Sequence, residues 1–480
     1  MKKIYFLICF LSFNFCFSQG FQAPEYLCTA ESNINFYILE TYKDSKSNEY
    51  IIFGKINSED SLDIYIQKYN VQEKPVFEGC GKYITSTTLD IANISIGVLT
   101  VVRCITDVND NIFVFISVPK GVEGPYTTFN LHCYKIDSNG NSLWAKIGND
   151  LTATSIYIFI HDIEATADGD IHLIYQFSEY NKLGYIRVTN NGNLRFQPKD
   201  LGAVKYDDLI NPEINDHKKH SFIFKNSLGE VVIAKANYEY SEEESRLIFE
   251  VSTYKVDILG NVTKHIIDND SRFIQFNKIE NELYLIENIG DKFYMYKFNS
   301  ESFVSTVPTL VFDEKPFQQL KKKGTNYFYF YRKAGKIYIQ KLNENSEKQF
   351  PNSGVEIPNI SFSISPLQAF DNFPDEKGGV HVVFVDEKYK IIDGGYNILG
   401  RYVSYQYINA FGILQIPSEL HIYYPCEYTS IDIGMGFYDE KDGSLNAYIT
   451  SSSDVNAITR HNVLYAYNPI CPKYQITKKK

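Results

Sequence analysis

Nine histidines and several close-set acidic residues are the side chains of this 480-residue chain that invite an acid–base or metal-binding reading. In "DHKKH" (216–220), His217 and His220 stand three apart beside Asp216. On a helix that spacing turns both imidazoles toward one metal ion. The surrounding sequence shows no helical period, and on a connector between strands the same residues are solvated surface. His172 and His381 occupy corresponding points of two alternating strands, which reads as interior ring positions rather than as a catalytic pair. The groups Asp107/Asn109/Asp110, Asp268/Asp270 and Asp439/Asp442 offer hard oxygen ligands, but none closes with the bidentate Glu of a calcium loop. Turn-forming Asx chemistry accounts for them. No catalytic, cofactor-binding or metal-binding residue is assigned from these patterns, and no cofactor is expected.

The ends and the cysteines speak to compartment. "MKKIYFLICFLSFNFCFSQG" places two lysines before an apolar run, then Cys16-Phe17-Ser18 ahead of Gln19. This predicts a secretory signal peptide over 1–18, too short for a membrane span. Phe13-Asn14-Phe15 lacks the small residues expected before a lipid-modified cysteine, so Cys16 reads as part of the cleavage site. Beyond it no apolar run approaches 18 residues, and no transmembrane segment is expected. The net charge of −11 argues against nucleic acid and against anionic lipid as partners. Six cysteines remain: Cys28, Cys80, Cys104, Cys133, Cys426 and Cys471. None forms a Cys-x-x-Cys pair, which removes zinc ribbons and thioredoxin-like chemistry.

Strands must position whatever the chain carries. Tyr (38) and Phe (34) are abundant, and β-branched residues alternate with polar ones in short runs. A motif of basic residue, apolar residue and Asp, Asn or Thr recurs. Its copies are "IQKYN" (66–70), "CYKID" (133–137), "YIRVT" (185–189), "TYKVD" (253–257), "MYKFN" (295–299), "IQKLN" (339–343), "YQYIN" (405–409) and a weaker "YAYN" (465–468). Ahead of each lies a strand entered through a polar turn, and ahead of that another apolar strand. Every unit thus reads as strands A, B, C and D joined by tight Asx–Gly turns and a variable B–C loop. The expectation is all-β: one β-propeller of eight four-stranded antiparallel blades, or seven if a weak copy is not a blade. A pair of β-sandwiches is the competing arrangement. The propeller is placed at 34–477, with an N-terminal segment over 19–33 and a basic tail over 478–480.

"CYKIDSNGNSLWAKIGN" (133–149) resembles the repeat of secreted bacterial β-propellers, where a Lys-apolar-Asp-x-x-Gly-Asn turn leads to a Trp-containing outer strand. The likeness extends to the turns at Gly192 and Gly260 and departs where Glu73, Ser302 or Ser346 replaces the glycine. It implies fold and export, and it carries no catalytic residue. Trp144 is the one tryptophan, so the chain does not resemble sialidase-like propellers, with their Ser-x-Asp-x-Gly-x-Thr-Trp turns, or quinoprotein dehydrogenases, with a tryptophan-rich docking motif in each blade.

The functional expectation is a non-catalytic exported scaffold, periplasmic or extracellular, that presents one loop-rich face to a protein or glycan. The alternative is a polysaccharide lyase or glycoside hydrolase with its acid and base on long loops. A–B and C–D turns share one face, and B–C loops and D–A connectors share the other. The long excursions fall on the second face: 119–129, 239–246 and 387–400. They hold Tyr126, Tyr240, Tyr389 and Tyr396, the expected binding residues. "KKKG" (321–324) is a basic turn on the opposite face. Cys104 ends a strand A and Cys133 lies in a strand C, roughly 9–10 Å away, so these two should not pair. Cys28 and Cys80 flank the first unit and are the expected bridge.

Overall fold

Alternation of apolar and polar residues is realised as strand throughout the described residues. The computed structural model is all-β, and its described residues contain no helix. These are residues 25–29, 36–56, 61–71, 74–88, 102–123, 126–144, 149–151, 158–177, 182–203, 221–225, 230–241, 246–268, 273–279, 282–299, 303–304, 307–316, 320–334, 336–351, 353–357, 370–392, 395–414, 421–423, 431–433, 437–438, 445–451 and 457–462.

Among the described residues lie eight antiparallel sheets, seven of them with consecutive strands A to D side by side. The first comprises Phe36–Lys43, Glu49–Ile56, Ser61–Tyr69 and Lys82–Thr88. The second comprises Val102–Thr106, Ile112–Glu123, Tyr126–Ile136 and Asn149–Asp150. Ile158–Ala165, Ile171–Phe177, Lys182–Val188 and Lys199–Ala203 form the third. The fourth is Ser221–Lys225, Val231–Ser241, Arg246–Val256 and Val262–Asp268. Phe273–Ile279, Glu282–Ile289, Lys292–Asn299 and Phe303–Val304 form the fifth, with Leu310–Phe312 also on its third strand. The sixth is Lys321–Lys323, Asn326–Lys333, Lys336–Leu342 and Val355–Ile357. The seventh is Phe370–Pro374, Val380–Ile392, Gly395–Ile408 and His421–Tyr423.

The eighth sheet draws on both ends of the chain. Ile431–Ile433, Leu445–Ser451 and Ala457–Asn462 supply its first three strands, and Phe437–Tyr438 also pairs with the second. The fourth is Glu25–Thr29, antiparallel to Ala457–Asn462 with Glu25 opposite Arg460. The stretch 19–33, set apart in the sequence reading, therefore contributes a strand to the last sheet. The weak copy at 465–468 lies outside the described residues. Repeated four-stranded sheets in this order are the architecture of a β-propeller.

The chain divides into two compact units. One is Leu39–Leu367 with Ala410–Ile413, and the other is Met1–Ile38, Gln368–Asn409 and Leu414–Lys480. Within the first unit, consecutive sheets pack face to face. Ile174, Leu183 and Tyr185 of the third sheet meet Ile223, Ile233 and Tyr254 of the fourth. Phe222, Val232 and Ala234 of the fourth then meet Leu283, Leu285 and Phe298 of the fifth. The B strands are covered on both sides: Phe113, Val114, Phe115 and Ile116 are all fully buried. Each such large apolar side chain contributes about 1.5–3 kcal/mol.

One five-residue turn closes both the A–B and the C–D hairpins. In Asp137–Asn141 the Asp137 amide donates to the Asn141 carbonyl (2.9 Å) and the Gly140 amide to the Asp137 carbonyl (3.0 Å). The Asp137 carboxylate accepts from the amides of Asn139 and Asn141 (2.9 and 2.8 Å). Asp107–Asn111 repeats the arrangement in an A–B turn, as Asp257–Asn261 does in another C–D turn. The fourth residue takes positive φ, which favours glycine: Gly140 has φ 86° and Gly260 83°. Ser346 occupies the same place at φ 63°, as do Ser47 and Asp110 in A–B turns at 65° and 61°. The turn thus survives loss of its glycine at 346, because its capping side chain still holds it: the Asn343 side chain accepts from the amides of Asn345 and Glu347.

Candidate functional site

The repeated motif is where chemistry first suggested itself, and its residues are committed to architecture. In several sheets the basic residue two places before the C–D turn faces a ring on strand B. Lys68 lies 5.4 Å from the centre of the Tyr50 ring, Lys135 4.7 Å from Phe113, and Lys341 5.8 Å from Phe328. Lys135 is buried; its Nζ lies 3.5 Å from the Asp107 carboxylate of the A–B turn and donates to the Asn190 carbonyl of the next sheet (3.1 Å). In the third sheet Arg187 donates to Asp168 and Asp170, both at 2.7 Å. The acidic turn at Asp107 is therefore closed by its own backbone and by a lysine, in keeping with the Asx reading.

Glutamine in the two "IQK" copies has a separate task. Gln67 Oε1 accepts from the amides of Lys68 and Phe77 (3.0 and 3.1 Å), and its Nε2 donates to the Phe77 carbonyl (3.1 Å). Gln340 does the same for Lys341, Phe350 and Pro351 (3.0, 3.2 and 3.2 Å). Each buried amide latches the chain as it leaves the C–D turn, in place of missing ladder bonds. The aromatic residue held there receives the next sheet. A Cβ on Gly140 would stand 3.0 Å from Phe77, one on Gly260 2.7 Å from Phe196, and one on Gly412 3.1 Å from Phe350.

His172 and His381 are indeed interior and equivalent. Their register partners are Arg187 and Tyr407, so each fills the ring position of its strand B. His172 Nδ1 lies 2.6 Å from the Tyr185 hydroxyl. His381 stacks on Tyr407 with centroids 4.6 Å apart. Burial pushes the His381 imidazole down to about 4, against the opposing pull of Asp375, with Lys377 adding to the drop. It is neutral at pH 7. His217 and His220 lie outside the described residues, as do Asp270, Asp439 and Asp442. Among the described residues no group of three or more His, Cys, Asp or Glu is arranged to hold a metal ion.

Two ion pairs between A strands were not foreseen. Arg103 donates to Glu40, joining strand A of the second sheet to strand A of the first. Asp162, on strand A of the third sheet, accepts from the Ile223 amide of the fourth and the Lys278 ammonium of the fifth, both at 2.8 Å. One carboxylate thereby ties three successive sheets. Asp162 and Lys278 are 19% and 17% exposed, so water reaches them only in part. The sequence signal was available: Glu40, Arg103 and Asp162 each stand four residues before the first residue of an A–B turn.

The long B–C excursions differ from expectation. They are strands, not loops. Ile112–Glu123 and Tyr126–Ile136 pair throughout, although strand A meets only 112–116. In the fourth sheet, 236–241 and 246–251 pair beyond the reach of strand A, which ends its pairing at Lys235. In the seventh, 385–392 and 395–403 do likewise. The four tyrosines lie on these ribbons. Tyr126 stands opposite Glu123, Tyr240 opposite Leu247, Tyr389 opposite Ile398 and Tyr396 opposite Ile391. One ribbon brings Tyr389 and Tyr396 together; Tyr126 and Tyr240 each belong to another.

Cys104 and Cys133 are buried free thiols, and so do not pair with each other, as their strand positions predicted. Cys80 is disulfide-bonded. The side chain of Cys28 lies outside the described residues.

No protein-family model matches the chain, and no curated protein matches it significantly. Solved structures similar to it are β-propeller proteins at low identity. A puromycin hydrolase is 10% identical with a TM-score of 0.41, over 89% of this chain and 61% of that one. The β-propeller domain of the Trilobed protease from Pyrococcus furiosus is 9% identical with a TM-score of 0.40, over 76% and 95%. The polysaccharide lyase Uly1 is 10% identical with a TM-score of 0.36, over 82% and 94%. The chain thus spans about three fifths of the puromycin hydrolase chain.

Proposed function

We propose that this chain is an exported, non-catalytic scaffold of β-propeller type. Its B–C ribbons present Tyr126, Tyr240, Tyr389 and Tyr396 to a protein or glycan of the cell envelope or extracellular space. The carrying observation is the extension of three B–C hairpins past the strands that flank them, each bearing one or two of these tyrosines. Ribbons on a rigid sheet fix an amphipathic ring at little entropic cost on binding. The hydrolase or lyase alternative needs an available acid and base. The strand-A carboxylates Glu40 and Asp162 are instead each matched to a cation.

Export is supported by the leader-like N-terminus and by the disulfide at Cys80. No helix among the described residues is long and apolar enough to cross a membrane. The test is affinity capture from native envelope with the tagged mature protein, beside a variant with all four tyrosines changed to alanine. Loss of the captured partner at an unchanged melting temperature supports the reading. Equal capture by both proteins refutes it.

A further inference from the structure

The seam between the third and fourth sheets holds a buried charge that the repeat does not call for. Three residues along strand B from the partner of the repeat's basic residue stand Phe53, Ile116, Tyr175 and Tyr331 in four sheets, all at most 3% exposed. The fourth sheet has Lys235 there, 2% exposed, and the fifth has Glu287. The neighbours of Lys235 across the sheet differ too. Val102–Ile116–His132 and Ile160–Tyr175–Gly184 are the corresponding cross-strand rows of the second and third sheets. In the fourth the row is Ser221–Lys235–Ser252. Ile223, Ile233 and Tyr254, each two residues from a member of that row, pack on the third sheet, so the row faces it as well.

The charge at the centre of the row is unmatched. Lys235 Nζ donates to the Leu201 carbonyl at 3.2 Å and forms no ion pair among the described residues. The charges around it are already paired, Lys264 with Glu250 and Lys182 with Asp200, both at 3.1 Å. One positive charge is left over. Ser221 is fully buried, and its hydroxyl has no hydrogen-bond partner among the described residues. Lysine is almost never buried unpaired, because an ammonium taken from water is costly without a counter-charge. A water molecule would satisfy hydrogen bonds and leave the charge unmatched. The ammonium also lies near the surface: a Cβ on the exposed Gly202 (φ 85°) would stand 3.7 Å from Lys235 Nζ and meet nothing else within 4 Å. The space over Gly202 is a short way in from solvent.

From this geometry we propose that Lys235 and Ser221 hold a small monovalent anion, of halide size, between the third and fourth sheets. The ammonium supplies the counter-charge and the hydroxyl a second donor. Burial lowers the ammonium to about 8, with Lys264 adding to the fall and Glu250 and Asp200 opposing it, so it is charged at pH 7. The anion stabilises the folded chain by mass action, since the unfolded chain has no such site. Without the anion the ammonium stays unmatched, and that is the state in which removing its charge is stabilising. The inference is independent of the proposed ribbon function.

The test compares melting temperatures of the full mature chain at pH 7 in sodium chloride and in sodium gluconate of equal ionic strength. Expected is a rise of about 2 °C or more in chloride over gluconate, growing with the logarithm of chloride concentration. Lys235→Met should melt at the same temperature in both salts, and Ser221→Ala should need several-fold more chloride for the same rise. Crystals soaked in sodium bromide should show an anomalous peak beside Lys235 Nζ. That map needs no variant, and it decides the matter alone if Lys235→Met fails to fold. Equal melting of the wild type in chloride and gluconate, an unchanged chloride response in either variant, or no bromide peak at Lys235 overturns the inference.

Discussion

Lys235→Met should stabilise the protein at neutral pH. Lys235 lies on strand B of the fourth sheet and is only 2% exposed. Its ammonium donates to the Leu201 carbonyl (3.2 Å) and lies 6.0 Å from the centre of the Tyr254 ring. Burial pushes it down to about 8 from 10.5; Lys264 adds to the fall, and Glu250 and Asp200 oppose it. A drop from 10.5 to about 8 corresponds to roughly 3 kcal/mol of disfavoured charge. The folded state binds this proton less tightly than the unfolded chain. The penalty is therefore full below pH ~8, relieved as pH rises from ~8 to ~10.5, and absent above. Methionine has similar volume and no charge, but it leaves the Leu201 carbonyl without its donor at a cost of about 1 kcal/mol. The net gain at pH 7 is about 1–2 kcal/mol, and the variant should lose the wild-type rise in stability above pH 8. Urea denaturation followed by circular dichroism at pH 7, 8, 9 and 10 measures both. A variant less stable than wild type at pH 7, or one with an unchanged pH profile, would show that the buried ammonium is well satisfied and the reasoning wrong.

Other perturbations separate the architectural devices. Gly260→Ala puts a Cβ 2.7 Å from Phe196 at φ 83°, whereas Gly324→Ala, with φ 56°, meets nothing within 4 Å. The first should cost about 2–4 kcal/mol and the second about 1–2, read as melting temperatures. Gln340→Leu leaves the Phe350 amide unpaired under a buried side chain and should cost about 2–3 kcal/mol, with little change for Gln349→Leu on the exposed surface. Cys104 and Cys133 should react with a maleimide only after denaturation, since both are buried and burial raises their thiols well above the usual range.

The parts written in local sequence were legible. Asp-x-x-Gly-Asn names its turn because capping carboxylate, left-handed fourth residue and closing amide all fall within five residues. Alternation around "NIFVFISV" and "NYFYFYRK" named strands for the same reason. Long-range pairings were not legible. "EYLCT" has no feature that ties it to Ala457–Asn462 across the length of the chain. The glutamine of "IQK" looked like an ordinary strand residue, since its role appears only where the outer strand leaves the ladder. Register hid one of the ribbons. A bulge between Lys388 and Tyr389 shifts the period of the seventh-sheet hairpin by one. The partners in the ion pairs Glu40–Arg103 and Asp162–Lys278 required the third dimension.

Backbone hydrogen exchange of the mature protein, free and with the partner captured from envelope, addresses the central claim most directly. In the free protein the described ribbon amides within 118–130, 236–250 and 385–402 should exchange faster than those of the buried B strands, because no described flanking strand pairs with them. On binding, protection should appear in one or more of these ribbons, while the turns at Asp107–Asn111, Asp137–Asn141 and Lys321–Lys323 keep their rates. Protection confined to those turns, with the ribbons unchanged, would contradict the account.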